Sequence, residues 1–281
     1  MSALDYLKSA VTVDIDQLSA PLAESLGPFC DMTSNQALIS GVVTADPSSQ
    51  LVRDVIARAK AETASDEEAI EHALDLFAVL IAKSVLPHLR PAGRVHAQLS
   101  PRYSYSASKS FDHGKRLISL FASEGVPKER VCLKIPATGA GMVAASQLEA
   151  LGIRTLATTL FSVDQALAAA QVGCLYVAPY FNELAVHFEE GVWKEYPNGG
   201  RDHHPMVRVI QDIICVYKGL EKKPLVMPAS IVTKEETLML GTLGIDHITV
   251  AGPILTALSE VKNYQPPAGD AAPKCRRCVE R

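Results

Sequence analysis

One lysine stands where a charged side chain is hard to accommodate. Lys134 lies in the apolar run VCLKIPAT (131–138), and alternation along a strand would turn it to the face opposite its apolar neighbours. Burying an ammonium group is costly unless it is paired or gives up its proton. A neutral amine can attack a carbonyl carbon and form a Schiff base. From the residues alone, Lys134 is either such a nucleophile or a core lysine paired with Asp14 or Asp16.

Polar side chains also end most of the other short apolar runs. They suit hydrogen bonding to a small molecule or proton transfer, and the candidates are Asp14, Asp16, Thr33, Ser34, Asn35, Gln98, Thr158, Tyr180 and Ser230. Barrel enzymes carry their catalytic side chains at the C-terminal ends of the strands. The spacing shows only that these residues can converge around Lys134.

The elements that would position these residues alternate between short β-rich runs and longer helical segments. Strands are predicted at 11–16, 31–35, 94–100, 131–138, 154–161, 174–180, 224–230 and 246–252, with apolar residues at helical spacing between them. Eight βα repeats in 281 residues predict an α/β fold, a single (β/α)8 TIM barrel.

An open, doubly wound sheet is the alternative fold. Such a sheet usually has a glycine-rich phosphate loop after its first strand, and VTVDIDQLS (11–19) has none. The segment ATGAGM (137–142) lacks the full GxGxxG spacing, so we interpret it as a βα loop.

Composition and charge exclude several classes of protein. A net charge of −4 and a pI of about 6.1 argue against a nucleic-acid surface. The roughly 20 consecutive apolar residues of a membrane span are absent, and acidic residues stand where a signal peptide needs a basic start. We expect a cytoplasmic enzyme without nucleic-acid or membrane partners.

The barrel is predicted to occupy residues 1–262, and the polar stretch 263–281 is predicted to be a short, irregular, flexible tail. Cys275 and Cys278 form a CxxC pair in this tail. One such pair is a weak metal signal, because zinc takes four ligands. No metal is predicted.

Five segments resemble the transaldolase family in order and spacing. They are DMTSNQALISG (31–41), VCLKIPATGAGMVAASQLEALGI (131–153), TTLFSVDQALAAAQVG (158–173), YVAPYFNEL (176–184) and VMPASI (226–231). The first resembles the family's Asp-x-Thr-x-Asn-Pro-Ser-Leu-Ile signature, with Gln36 at the usual Pro position. The second resembles the strand that carries the Schiff-base lysine. The resemblance implies a (β/α)8 barrel without metal or organic cofactor, since the iminium itself is the electron sink.

Carried over residue by residue, the resemblance assigns roles to the polar positions. Lys134 would be the nucleophile. Asp16, with Asp14 as an alternative register, would act on the substrate hydroxyl whose proton leaves as the C–C bond breaks. Thr158 would help to hold the catalytic water. The side chains that would bind the substrate are Asn35, Thr33, Ser230 and Asp14.

Two residues depart from standard transaldolases and resemble the fructose-6-phosphate aldolase branch. Gln98 replaces the glutamate that activates the water, and Tyr180 replaces a phenylalanine on the sixth strand. An amide cannot take a proton at neutral pH. Gln98 and Tyr180 together could hold the water, with the Tyr180 hydroxyl as the acid–base group. Alternatively, Tyr180 is a core aromatic whose hydroxyl binds backbone.

Two further departures concern phosphate. The family grips the substrate phosphate with an arginine after the sixth-strand motif and another after the seventh strand, where this chain has Glu183 and Val232. The loss of two cations and the gain of an anion disfavour phosphate binding. Cations that could substitute are Lys234, Arg154 and Arg208. These positions predict a non-phosphorylated ketone or aldehyde substrate.

A long segment between the sixth and seventh strands is predicted to cover the barrel mouth as a lid. It contains Trp193, Tyr196 and the pair His203–His204, which we interpret as exposed and solvated. Since family members are usually oligomeric, a homo-oligomer is expected.

The leading hypothesis is a Schiff-base aldolase that cleaves or transfers a hydroxyketone unit of a ketone, aldehyde or sugar through Lys134. The first alternative is a true transaldolase of the pentose phosphate pathway, which moves dihydroxyacetone units between sugar phosphates. The others are a biosynthetic Schiff-base enzyme that forms C–C bonds or dehydrates its substrate, and a non-catalytic barrel.

Overall fold

Eight parallel strands form the centre of the computed structural model, which describes residues 1–266. The strands are β1 Thr12–Asp16, β2 Met32–Thr33, β3 Val95–Gln98, β4 Val131–Pro136, β5 Arg154–Leu160, β6 Tyr176–Pro179, β7 Leu225–Val226 and β8 His247–Ala251. Their order in the sheet is β7-β6-β5-β4-β3-β2-β1-β8. Between β7 and β8, the N–H of Asp246 donates to the Val226 carbonyl (3.1 Å) and that of Thr249 to the Pro228 carbonyl (3.4 Å). The sheet is therefore a nearly closed barrel.

Helices surround this barrel. They are α1 Ala3–Ala10, α2 Ala20–Leu26, α3 Gln36–Ala45, α4 Gln50–Glu62, α5 Asp66–Val85, α6 Ala107–Ser123, α7 Gly139–Ala150, α8 Val163–Gln171, α9 Pro205–Tyr217, α10 Lys234–Leu240 and α11 Gly252–Glu260. Most begin after a Ser, Thr or Asn whose side-chain oxygen accepts a first-turn N–H, as at Ser65, Thr138 and Ser162. Each such cap stabilises its helix by about 1 kcal/mol.

Alternation along the strands divides the buried residues into two sets. Outward side chains such as Leu133 and Ile135 on β4 pack in the main core, between strands and helices. Inward side chains form a smaller apolar cluster inside the barrel, made of Cys132, Leu156, Tyr176, Ala178, Tyr180, Met227 and Ala229. Lys134 shares the inward face with Cys132, because the two are separated by one residue on β4.

The predicted (β/α)8 fold is confirmed, and each observed strand lies within its predicted range. The interpretation of 137–142 as a loop is wrong in part, because Thr138 caps α7 and the helix begins at Gly139. Within residues 1–266, no helix is both long and apolar enough to cross a membrane.

The predicted boundary between the barrel at 1–262 and the tail at 263–281 stays a prediction. Tyr264 lies against α1, where its ring is 5.2 Å from that of Tyr6. Cys275 and Cys278 lie outside the described residues.

Candidate active site

Lys134 lies inside the barrel with only 3% of its surface exposed. Its neighbour across the β3–β4 pairing is Gln98, and the ring of Tyr180 has its centroid 5.9 Å from the lysine Nζ. Among residues 1–266, no carboxylate lies within ion-pairing distance of this nitrogen, which disfavours the alternative of a paired core lysine.

The Tyr180 hydroxyl binds a side chain, which disfavours the alternative of a core aromatic bound to backbone. Oγ1 of Thr158 donates to it across 3.1 Å, and both residues are buried. The structure thus brings together three predicted catalytic side chains: Lys134, Tyr180 and Thr158.

The backbone of Gln98 is hydrogen-bonded to another side chain, whereas its own side chain is not. Its carbonyl accepts a hydrogen bond of 2.9 Å from Nε2 of Gln36, the residue at the usual Pro position. The Gln98 side-chain amide makes no hydrogen bond within the described part of the chain, not even to Tyr180. Its donor and acceptor are therefore open to a ligand or a water molecule.

Asp16 and Thr33 form a second polar group at the ends of β1 and β2. The Thr33 hydroxyl donates to Oδ1 of Asp16 (2.7 Å) and lies 2.6 Å from the Thr249 hydroxyl on β8. Thr249 was not among the predicted site residues, although alternation along β8 would have placed it on the inward face. This contact fixes one carboxylate oxygen of Asp16, and the other makes no hydrogen bond within the described part of the chain.

Asn35 has a structural task that limits its predicted role. Its Oδ1 accepts the N–H of Leu38 (3.0 Å) and caps α3. The cap engages the amide oxygen, and the NH2 group of Asn35 stays available as a donor.

Asp14 is not brought to this group of residues. It is fully buried one pleat below Asp16, and its oxygens accept the Asp31 N–H and the Nδ1–H of His247, both at 2.8 Å. Both oxygens are thus engaged by the protein, which argues against the predicted substrate contact and the alternative register.

Asp14 belongs to a buried network at the base of the barrel that sequence analysis did not identify. Asp31 binds Nε2 of His96 at 3.0 Å, and the Tyr176 ring packs against His96 and His247. Burial would lower the pKa of His247, but the charge of Asp14 and its hydrogen bond outweigh this effect and raise that pKa to about 9. The charge of Asp14 therefore favours the protonated form of His247.

The same network contains the group of potential metal ligands found among the described residues: Asp14, Cys30, Asp31 and His247, whose ligand atoms lie within 4.8 Å of one another. A metal would require His247 to lose its proton and the carboxylates to give up their present hydrogen bonds. The arrangement fits a structural charge network better than a metal site.

Backbone strain also marks the C-terminal ends of the strands. Thr159 on β5 has φ 49° and Ser230 after β7 has φ 59°, and a β-bulge interrupts the β5–β6 pairing between Ala157 and Leu160. Such conformations cost about 1–3 kcal/mol and cluster at functional sites. Their positions agree with an active site at this face of the barrel.

The segment 181–204 between β6 and α9 is tied to the end of β7 and to α10. His187 Nε2 lies 2.8 Å from Oγ of Ser230. Nδ2 of Asn182 donates to the Ser230 carbonyl (3.0 Å) and to Glu236 (3.1 Å), and Nε1 of Trp193 donates to Glu236 (3.2 Å). The predicted lid function of the segment stays a prediction.

The interpretation of His203–His204 as an exposed pair is wrong for one of the two. His203 is exposed, whereas His204 is buried, stacks on Phe181 with centroids 3.9 Å apart, and caps α9 through Nδ1. Its tasks are therefore packing and capping.

Of the three cations proposed from sequence as substitutes for the two arginines, Arg154 and Arg208 are engaged in ion pairs, and only Lys234 lies near the mouth of the barrel. Arg154 lies at the N-terminal end of β5, away from the site, and pairs with Glu149 (2.9 Å). Arg208 pairs with Asp212 on α9 (2.9 Å). Lys234 is near the mouth at the start of α10, but its Nζ lies 3.6 Å from Glu235.

Comparison with known proteins decides the family. The family model described as Transaldolase/Fructose-6-phosphate aldolase matches residues 12–279. The chain belongs to this family. Its transaldolase relatives include one from Methylobacillus flagellatus, 30% identical over 90% of this chain and 78% of that protein. Another, from Schizosaccharomyces pombe, is 29% identical over 97% and 82%. As a family member, the chain is an enzyme of the class I aldolase or transaldolase type.

A transaldolase from Shewanella amazonensis is 31% identical over 92% of this chain and 79% of its own length. Among solved structures, an IMP dehydrogenase/GMP reductase-like protein from Corynebacterium glutamicum matches 87% of this chain and 64% of its own, with 13% identity and a TM-score of 0.47. That likeness is too weak to inform fold or function.

Proposed function

We propose that this family member catalyses reversible aldol cleavage or transfer of a hydroxyketone unit through an imine at Lys134, on a non-phosphorylated carbonyl substrate. The supporting observation is a buried lysine that faces the barrel interior, without a carboxylate partner among the described residues and with its Nζ 5.9 Å from the centroid of a tyrosine ring. A lysine amine in such surroundings can act as a nucleophile.

In the proposed mechanism, Nζ of Lys134 attacks the substrate carbonyl and the carbinolamine loses water to give an iminium ion. Asp16 takes the proton of the hydroxyl on the carbon that will leave. The C–C bond then breaks, its electron pair forms the enamine, and the aldehyde departs. Protonation of the enamine and hydrolysis complete cleavage, whereas addition to a second aldehyde completes transfer.

Proton transfer during imine formation would fall to Tyr180. The Tyr180 hydroxyl accepts a hydrogen bond from Thr158, so its own proton can be donated elsewhere. A water molecule placed between Tyr180, Thr158 and the carbinolamine would receive this proton. The unpaired amide of Gln98, next to Lys134 across the strand pair, would help to hold this water.

The choice of a non-phosphorylated substrate follows from the two family arginine positions. Glu183 is exposed, and the Val232 N–H donates to Glu236 (2.8 Å). Neither residue offers a positive charge to a phosphate ester.

A true transaldolase is the second candidate, favoured by the name of the relatives. It would act on fructose 6-phosphate and depend on an aldose phosphate acceptor. A biosynthetic Schiff-base enzyme would share the chemistry as far as the enamine, whereas a non-catalytic barrel would form no adduct. Homo-oligomer formation and a cytoplasmic location stay predictions.

The test is reduction of the imine. The protein is incubated with dihydroxyacetone, fructose or fructose 6-phosphate, treated with borohydride and weighed intact. We expect an adduct that maps to Lys134, is lost in Lys134→Ala and is kept in Lys115→Ala, which removes an exposed lysine of α6. Absence of an adduct with every ketone would overturn the proposal, and preference for fructose 6-phosphate would favour the true transaldolase.

A further inference from the structure

A histidine and a serine meet at the mouth of the barrel, next to the proposed site. Nε2 of His187 lies 2.8 Å from Oγ of Ser230, and Ser230 has its backbone in the left-handed region. Non-glycine residues keep that conformation only where the surrounding structure enforces it. Asn182, in the same segment as His187, also binds the Ser230 carbonyl. The segment after β6 is therefore held to the end of β7 by two contacts, one to the Ser230 side chain and one to its backbone carbonyl.

The surroundings of His187 favour the neutral form of its ring. The residue is exposed at the mouth, but partial desolvation by its neighbours lowers its pKa below the ordinary value of 6.5, and the charges of Asp16 and Glu236 oppose this effect without cancelling it. A neutral imidazole provides one N–H donor and one acceptor nitrogen, and a serine hydroxyl can donate and accept. Together they match a substrate hydroxyl but provide no full charge for a phosphate.

The two side chains flank the positions at which family resemblance leads one to expect arginine. Glu183 immediately precedes the short 3₁₀ turn Leu184–His187, and Val232 follows Ser230 by two residues. Where the family presents cations, this chain therefore presents a neutral donor–acceptor pair beside a carboxylate.

We propose that the His187–Ser230 pair determines substrate specificity by binding a hydroxyl group at the far end of the substrate, on the fragment that leaves as the aldehyde. Because its Oγ contacts His187, Ser230 would serve this fragment and not the donor unit to which the family resemblance assigns it. The pair selects uncharged hydroxyaldehydes and hydroxyketones over their phosphate esters. This inference rests on the proposed Schiff-base function and adds the chemical class of the substrate. The imine step at Lys134 requires only the carbonyl group, so it should proceed without His187.

The test compares addition of dihydroxyacetone to glyceraldehyde, glyceraldehyde 3-phosphate and propanal, which share the reacting group and differ at the far end. We expect the wild type to have a higher kcat/KM for glyceraldehyde than for its phosphate. His187→Ala should raise the KM for glyceraldehyde about tenfold, the factor that corresponds to one hydrogen bond. The KM for propanal should stay unchanged, and His187→Gln should restore part of the difference.

A gain of function is expected from His187→Arg, which places a cation near Ser230. This variant should shift the preference toward glyceraldehyde 3-phosphate by about tenfold or more. Equal losses on glyceraldehyde and propanal in His187→Ala would overturn the inference, because they would indicate a purely structural role. Unchanged selectivity in His187→Ala would overturn it as well.

Borohydride trapping with dihydroxyacetone separates this inference from the proposed function. An adduct in the wild type and in His187→Ala, together with altered selectivity in the variant, supports both. Without an adduct in the wild type, the Schiff-base function fails, and His187 is tested by its ring-proton NMR signals, identified through their loss in His187→Gln. Movement of these signals with erythritol but not with inorganic phosphate supports the inference, and any other pattern overturns it.

Discussion

The hydroxyl of Thr158 donates a hydrogen bond of 3.1 Å to the hydroxyl of Tyr180 on the neighbouring strand. Because a hydroxyl has a single proton, a tyrosine that accepts from Thr158 keeps its own proton for another partner. The Tyr180 ring also faces Lys134. In the proposed mechanism, the three residues act as one unit in which the lysine supplies the nucleophile and the tyrosine the mobile proton.

Tyr180→Phe should lower kcat for aldol cleavage by about 10²-fold, because a positioned acid–base group contributes at least that factor. KM should change little, since the ring remains. Steady-state kinetics on fructose would measure the effect. Tyr176→Phe is a matched control, because the Tyr176 hydroxyl lies 3.5 Å from Arg94 at the base of the barrel and its loss should leave kcat unaltered. Equal kcat in Tyr180→Phe and wild type would contradict the proton-transfer role.

Asp16→Asn should separate imine formation from C–C cleavage. We expect cleavage to fall by about 10²-fold or more, whereas the borohydride adduct with dihydroxyacetone should still form, because that step does not require the carboxylate. Asp14→Asn is the matched control. It should lower the stability of the protein without a specific loss of the cleavage step, since Asp14 binds His247. Loss of the adduct in Asp16→Asn would show that Asp16 acts earlier than proposed.

The Asp14–His247 pair predicts a stability that declines at alkaline pH. The pKa of His247 is raised from 6.5 to about 9, so its contribution is fully present below pH 6.5 and is lost as the pH rises through 9. A shift of that size corresponds to roughly 3 kcal/mol. Thermal unfolding between pH 6 and 10 would measure it, and His247→Gln should be less stable at pH 6 and lose less stability over that range. Parallel pH curves for the two proteins would refute the assignment.

Two glycines after β4 offer a test of how α7 is placed beside Lys134. A Cβ on Gly141 would lie 2.2 Å from the Pro136 carbonyl oxygen, whereas one on Gly139 would meet nothing within 4 Å. Gly141→Ala should therefore destabilise the protein by about 1–3 kcal/mol, and Gly139→Ala should be neutral or slightly stabilising. Chemical denaturation of both variants would decide, and equal stabilities would mean that α7 shifts freely.

The fold was predictable from sequence because local signals agree along the chain. Runs such as 131–138 and 174–180 are apolar and short, and each is followed by a helical segment. Lys134 itself was recognisable because one charge in such a run is unusual. The helix start at Gly139 was missed because glycines favour loops. Here, however, the helix needs a glycine at position 141, because its backbone approaches the Pro136 carbonyl closely.

The candidate site was predictable only in part. Sequence does not show which of two aspartates on one face of a strand reaches the rim, and the burial of Asp14 depends on Asp31 and His247 from distant parts of the chain. The contact of His187 with Ser230 was missed for a similar reason. It joins two loops whose relative position is fixed by tertiary packing and not by any local pattern.

Asp14 and Asp16 stand two residues apart on β1, yet they belong to different functional layers. The lower carboxylate is committed to the fold through Asp31 and His247, while the upper one and the loops around it are the parts that we propose to meet the substrate. Natural selection can therefore alter the rim without disturbing the foundation of the barrel. If Glu183 and Val232 stand in place of the phosphate-binding arginines, as the family resemblance implies, they are an example of such divergence, and the rim is the region to vary when new carbonyl acceptors are sought.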